Sequence, residues 1–336
     1  MTTSLEPRTE VVATAPRHRF LPEIRSEAHT IGSNESVPVA LQRISTEQFT
    51  HAIDAISDPE LELGDAVETA DAALSRIAAL LRLVRPAIGT DTCAAELGVV
   101  RDVRRFLTEL MVGQAELRAL DEIRARYDAA LRPDALSELR EQLLQRHQLN
   151  RLHRLPAMQP GGEPDHVRHQ LRRARARFAA WPVDETVRGH PPIADSFDSM
   201  AEGLERTYAK GRSRIGDRSS GQRKRERHAR ALAHQLELLS GAWPALLRGA
   251  AATATDLADA LTEYRRIHTL QRATTTAPDG PSAVVVDGTT ATVVESLCEH
   301  DRRELLAIAS SLSTRLYAES PEQFVARVRG YWSTRS

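Results

Sequence analysis

An all-α fold is the expectation for this chain, and three features carry it. The stretches between Pro and Gly breakers are rich in Ala, Leu, Arg and Glu, which are strong helix formers. Aromatic residues make up only 4% of the 336 positions, too few for the half-buried strands of a β-sandwich. Apolar residues recur at helical rather than alternating spacing through most of the long runs. With 41% hydrophobic residues, the chain can bury at least one sizeable core.

The elements follow in order. Residues 1–36 mix Pro, Thr, Ser, Glu and His without a sustained apolar period, which predicts a disordered leader. Helical periodicity starts at Val37, pauses at Asp58-Pro59, and resumes from Ala66 until Pro86 and Gly89 stop it. Thr92 is placed to cap a helix from Ala94 to Leu117. Another helix covers 134–154. The stretch Pro156 to Asp165 breaks the pattern and predicts a linker between a first half, 37–155, and a second, 166–336. A basic helix from His166 to Trp181 comes next, then an interruption at Gly189 to Pro192 and a helix from Ser199 to Gly216. Two long helices follow, one ending at Trp243-Pro244 and one through Leu257 to Thr274. The run from Thr274 to Thr290 reads as a loop with a short strand at Val284 to Val286, and the last helices occupy Val293 to Tyr317 and Pro321 to Trp332.

The halves share a weak repeat. Arg76 to Ile88 followed by Leu97 to Leu107 has the same order as Leu232 to Leu247 followed by Leu257 to Leu270: a Leu-rich helix closed by Pro, then a helix with a charged cluster before an apolar end. Two pseudo-symmetric helical bundles are the expectation.

Charge is segregated along the chain although the total is only −1. His51 to Ser75 holds seven acids and no Lys or Arg, whereas Gly203 to Arg230 holds ten bases and three acids. Within the basic part, Arg206, Lys210 and Arg214 are spaced i, i+4, i+8, and Arg223, Arg227 and Arg230 are spaced i, i+4, i+7. Each set lines one helical face. Arg168, Arg172 and Arg175 repeat the spacing on an earlier helix. Cations about 6 Å apart, from the 1.5 Å rise per residue, suit a linear chain of phosphates, because the guanidinium fork pairs bidentately with phosphate oxygens and stays charged.

At Gly203 to Ile215, GLERTYAKGRSRI, the sequence resembles the CHAD family, the conserved-histidine α-helical domain, by its Gly-Leu-x-x-x-Tyr-x-x-Gly-Arg pattern. Leu81 to Pro86, Leu97 to Asp102 and Ser313 to Trp332 support the resemblance in the same order, so that it extends from Val37 to Trp332. It implies two helical bundles around a basic central cleft, and non-catalytic binding of inorganic polyphosphate, in the cytoplasm and at polyphosphate granules. The residues expected to line the anion are Arg206, Tyr208 as a hydroxyl donor, Lys210, Arg212, Arg214, Arg223, Lys224, Arg227 and Arg230. From the first repeat and the basic helix they are Arg76, Arg82, Arg85, Arg101, Arg168, Arg172 and Arg175.

The sequence departs from the family at its signatures. In the first repeat, the pattern His-x-x-Arg-x-x-x-Arg-Arg-x-Arg falls on Glu68, Asp71, Ser75, Arg76 and Ala78, so only Arg76 keeps its charge. In the second, the histidine is replaced by Arg223 and one arginine by Glu226, while Arg227 and Arg230 remain cationic. Arg266 stands where the family has an aspartate. A polyphosphate site weakened in the first repeat is therefore expected. The alternative is a degenerate member that docks an acidic protein or another polyanion.

Other chemistries lack their residues. Glu60-Leu61-Glu62 has Gly64 where a triphosphate tunnel enzyme would need Lys. His166 and His169 have no completing ligand beyond Asp165, so no metal is expected. Cys93 and Cys298 are isolated, which excludes a disulfide scaffold. No Gly-rich phosphate loop, nucleophile triad or catalytic carboxylate pair stands out, and no enzyme activity or cofactor is expected. No run reaches the length of a membrane span, and the neutral total with few aromatics disfavours nucleic acid.

Overall fold

A computed structural model describes residues 29–154, 163–180, 193–215, 221–275 and 284–335, apart from the single positions 33, 112, 130, 133, 135 and 285. Among the described residues the chain is all helical: α1 Val37–Ser57, α2 Leu63–Leu83, α3 Arg85–Ile88, α4 Thr90–Leu110, α5 Gln114–Arg126, α6 Ser137–Arg154, α7 Glu163–Ala179, α8 Asp198–Arg212, α9 Gln222–Leu239, α10 Pro244–Thr275, α11 Gly288–Leu316 and α12 Pro321–Ser333.

Local chemistry sets most boundaries. Pro38 sits in the first turn of α1, where its missing N–H costs nothing, and the Val37 N–H finds an acceptor in Asp195 Oδ1 at 2.8 Å. Asp287 caps α11 by accepting from the N–H groups of Thr289 and Thr290. Ser320 and Gln323 form a capping box at α12, with Pro321 in the first turn. Gly113, at φ +93°, splits the single helix expected from Ala94 to Leu117 into α4 and α5. Such a backbone angle is open to Gly at no cost. Thr92 is not the cap; Gly89 occupies that position and Thr92 lies inside the first turn of α4. Val284 is buried and Val286 packs against the same cluster; neither is in a strand, and the middle position of the expected strand lies outside the described residues.

Three apolar clusters hold the helices, and they do not follow the sequence halves. One joins α1, α2, α4 and α7 around Phe49, Leu74, Ile77, Val103 and Phe178, with the Phe49 and Phe178 rings 5.1 Å apart. The basic helix α7, placed in the second half by the linker at 156–165, thus belongs to the core of the first. Arg177 secures it by a two-pronged pair to Glu96 of α4 at 2.6 and 2.7 Å. A second cluster unites the starts of α1 and the end of α2 with α8, α9, α10 and α12. A third is formed by α5 and α6 with α10 and α11; there the fully buried Asp301 accepts from Tyr127 at 2.5 Å and pairs with Arg126 at 2.7 Å. Burying each large apolar side chain is worth about 1.5–3 kcal/mol, so every half depends on the other for part of its core.

Packing also begins before the predicted leader ends. Ile31 is fully buried, and its N–H donates to Leu238 O at 2.9 Å. A Cβ at Gly241 would stand 2.2 Å from Ile31 O, so Gly is what lets residues 29–32 lie against the end of α9. Residues 1–28 of the expected leader and most of the linker fall outside the described residues.

Candidate cationic site at the junction of α2, α3, α8 and α9

The Gly203 to Ile215 motif explains itself through packing. A Cβ at Gly203 would be 2.0 Å from Leu83 O and 2.6 Å from Arg82 O, so the helix backbone of α8 rests directly on the end of α2. Tyr208 is fully buried, stacks on Phe324 at 4.1 Å, and donates its hydroxyl to Leu316 O at 3.1 Å. Burial, foremost, raises its pKa. Gly211 admits the Tyr317 ring, and Arg212 Nε donates to Tyr317 O at 3.3 Å. Tyr208 is thereby corrected from an anion donor to a packing residue, and the Arg212 Nε is committed to the backbone of the α11–α12 turn.

This seating brings cations of both halves together. Lys210 of α8, itself exposed, feels the charges of Arg206, Arg85 of α3, Arg227 of α9 and Arg82 of α2; partial desolvation first, then these charges, lower its pKa. Arg82 is pushed down to about 10, by burial and then by Arg227 and Arg104. Its Nη1 donates to Ala78 O at 3.1 Å. His228, beside Arg227 on α9, is lowered to about 4 by burial and by Arg227, Lys210, Arg82 and Arg214. Arg206 pairs with Glu202 on its own helix. Lys210 and Arg227 have no ion pair with any described acid. Histidine 228 was missed in the sequence, where its only signal was a place beside Arg227 in a basic run.

Other expected contributors lie elsewhere or are engaged. Arg230 is tied to Asp259 at 2.8 Å and Thr262 at 3.0 Å on α10. Arg223 and Lys224 are exposed in the first turn of α9. Arg101 is exposed near Asp102. Arg168 pairs with Asp165, Arg175 donates to Thr50 of α1 at 3.2 Å, and Arg172 is exposed on the same helix; α7 packs on α1 and α4 rather than on α8 or α9. Arg76 is turned into the interior, with Nη1 3.4 Å from Gln48 Oε1, and burial lowers its pKa.

The acids at the first-half signature positions are paired with arginines of neighbouring helices. Glu68 pairs with Arg118 of α5, and Asp71 accepts two bonds from Arg104 of α4 at 2.6 and 2.9 Å. In the second half, Glu226 pairs with Arg265 of α10. Ala78 is buried in the first core.

Cys93 donates to Leu81 O at 3.4 Å, and burial pushes the Cys298 thiol up to about 12. His166 is exposed and meets Gln170 at 2.7 Å. No helix of the described residues is long and apolar enough to cross a membrane. Compared with protein-family models, curated proteins and solved structures, the chain matches none.

Proposed function

We propose that the chain binds inorganic polyphosphate, or a polyanion of the same linear phosphate chemistry, at the cationic junction of α2, α3, α8 and α9, and that it does so without turnover. The observation that carries this reading is the clustering of Lys210 with Arg206, Arg85, Arg227 and Arg82, with neither Lys210 nor Arg227 in an ion pair among the described residues. Mutual repulsion of this kind is a cost in the empty protein that a bound anion removes. Arg206 and Lys210 stand one helical turn apart on α8, and Arg82, Arg85 and Arg227 approach from three other helices, so successive phosphates along one chain would each meet a cation. The resemblance of Gly203 to Ile215 to the CHAD family supports the same ligand.

The test is binding of a labelled long-chain polyphosphate to the full chain, with single-stranded DNA and an acidic polypeptide as competitors at fixed salt. Lys210→Gln with Arg227→Gln should abolish most of the affinity while the melting temperature holds. Preferential displacement by the acidic polypeptide would replace this reading with protein docking, and retention of full affinity by the double variant would move the site away from this junction.

A further inference from the structure

Beyond the polyanion reading, a separate group of side chains gathers where residues 29–32 lie against α9. His29 is 6% exposed, and neither ring nitrogen has a hydrogen-bond partner. The backbone anchor at Ile31 and the Gly241 contact hold it over the α9 turn that presents His234 and Glu237, spaced i, i+3. Donor atoms of His29, His234 and Glu237 all lie within 4.8 Å of one another. The two imidazoles meet edge to face with centroids 6.3 Å apart, and His234 Nδ1 is 3.2 Å from Glu237 Oε2.

We infer that His29, His234 and Glu237 form a binding site for a divalent transition ion of the zinc class, which fastens residues 29–32 to α9. A histidine this deeply buried with both nitrogens unsatisfied loses its hydration without replacement, and a metal answers that loss through a lone pair. Ligand atoms at about 2.0–2.1 Å from a tetrahedral zinc stand about 3.3 Å from each other, a spacing the His234 and Glu237 pair already has. Two imidazoles and one carboxylate favour zinc-class ions over magnesium or calcium, which prefer all-oxygen sets, and three protein ligands leave one position for water. Arg76, Arg43 and Arg230 are opposing charges nearby, and the Glu237 carboxylate offsets part of their effect.

The test is titration of the chelator-treated full chain with Co²⁺ and then Zn²⁺. A single Co²⁺ with the intense visible absorption of tetrahedral coordination, displaced by Zn²⁺ and not by Mg²⁺, is expected. His29→Ala and His234→Ala should each weaken binding by at least the roughly tenfold that even an outer-sphere partner is worth, whereas His166→Ala with His169→Ala on the exposed face of α7 should leave it unchanged. X-ray absorption of the zinc-loaded native protein should count two imidazole ligands, a readout that does not depend on any variant folding. Absence of stoichiometric binding to the native chain, fewer than two imidazoles, or loss of binding on removing His166 and His169 would each overturn the assignment.

Discussion

Lys210 and Arg227 differ from Arg230 in one respect that decides what each does: among the described residues the first two pair with no acid, and Arg230 pairs with Asp259. Neutralising Lys210 and Arg227 with Gln should therefore cut polyphosphate affinity strongly, with stability within about 0.5 kcal/mol of the parent. Arg230→Gln should behave in the opposite way, lowering the melting temperature with little effect on affinity, as thermal scans and binding isotherms on the same samples would show. Tyr208→Phe removes one hydroxyl from a buried carbonyl and should cost about 1 kcal/mol of stability while leaving affinity intact. A drop in affinity with no loss of stability would return Tyr208 to the anion site. A change of Ala78 to Arg, attractive from the family pattern alone, would put a guanidinium into the first core and unfold the protein rather than strengthen binding.

At the scale of elements, the seat of α8 on the end of α2 is what assembles the cations. Adding a methyl group at Gly203 confronts backbone carbonyls, which cannot rotate away. Gly203→Ala should thus destabilise by at least the ~1–3 kcal/mol of an overpacked core, and any folded fraction should bind polyphosphate weakly because Arg82 and Lys210 separate. At Gly211 the obstacle is the Tyr317 ring, a side chain rather than backbone, so Gly211→Ala should be the milder of the two. Denaturant melts of both variants, with affinity measured on the folded protein, would test the order; equal tolerance at both sites would mean that α8 and α2 can part freely.

For the molecule as a whole, affinity should respond to salt and to pH. Engaging several phosphates releases their counterions, so the logarithm of the binding constant should fall linearly with the logarithm of salt concentration. His228, held at about 4 against an ordinary 6.5, adds a proton linkage. As pH falls below 6.5 the unfolded chain takes the proton first, so the contribution of neutral His228 to stability declines on acidification until about 4, where the folded state takes it too. A polyanion beside Lys210, Arg82, Arg214 and Arg227 offsets their repulsion and raises the His228 pKa. Binding should therefore take up protons and tighten as pH drops from neutral towards 5, and His228→Ala should flatten that dependence. Isothermal titration in buffers of different ionisation heat would detect the uptake directly.

Helix formation was legible from composition and period because it depends on neighbours three and four residues away, and the helix starts at Pro86 and Pro321 and the stop at Gly89 are local backbone chemistry. The cationic faces of α8 and α9 were legible for the same reason. What lay beyond the sequence was where each face points. The same i, i+4 row puts Lys210 and Arg227 among like charges yet gives Arg206 an acid on its own helix and Arg230 one on α10, and the pattern Gly203-Leu204-x-x-x-Tyr208 looked like a ligand motif although it serves helix contact. Likewise α7 reads as part of the second half and packs in the core of the first. Sequence alone determined that the chain makes amphipathic helices with segregated charge. Only tertiary structure decided which charges are neutralised, because pairing depends on helices distant in sequence, and charge interactions act across whatever packing brings within a few ångströms.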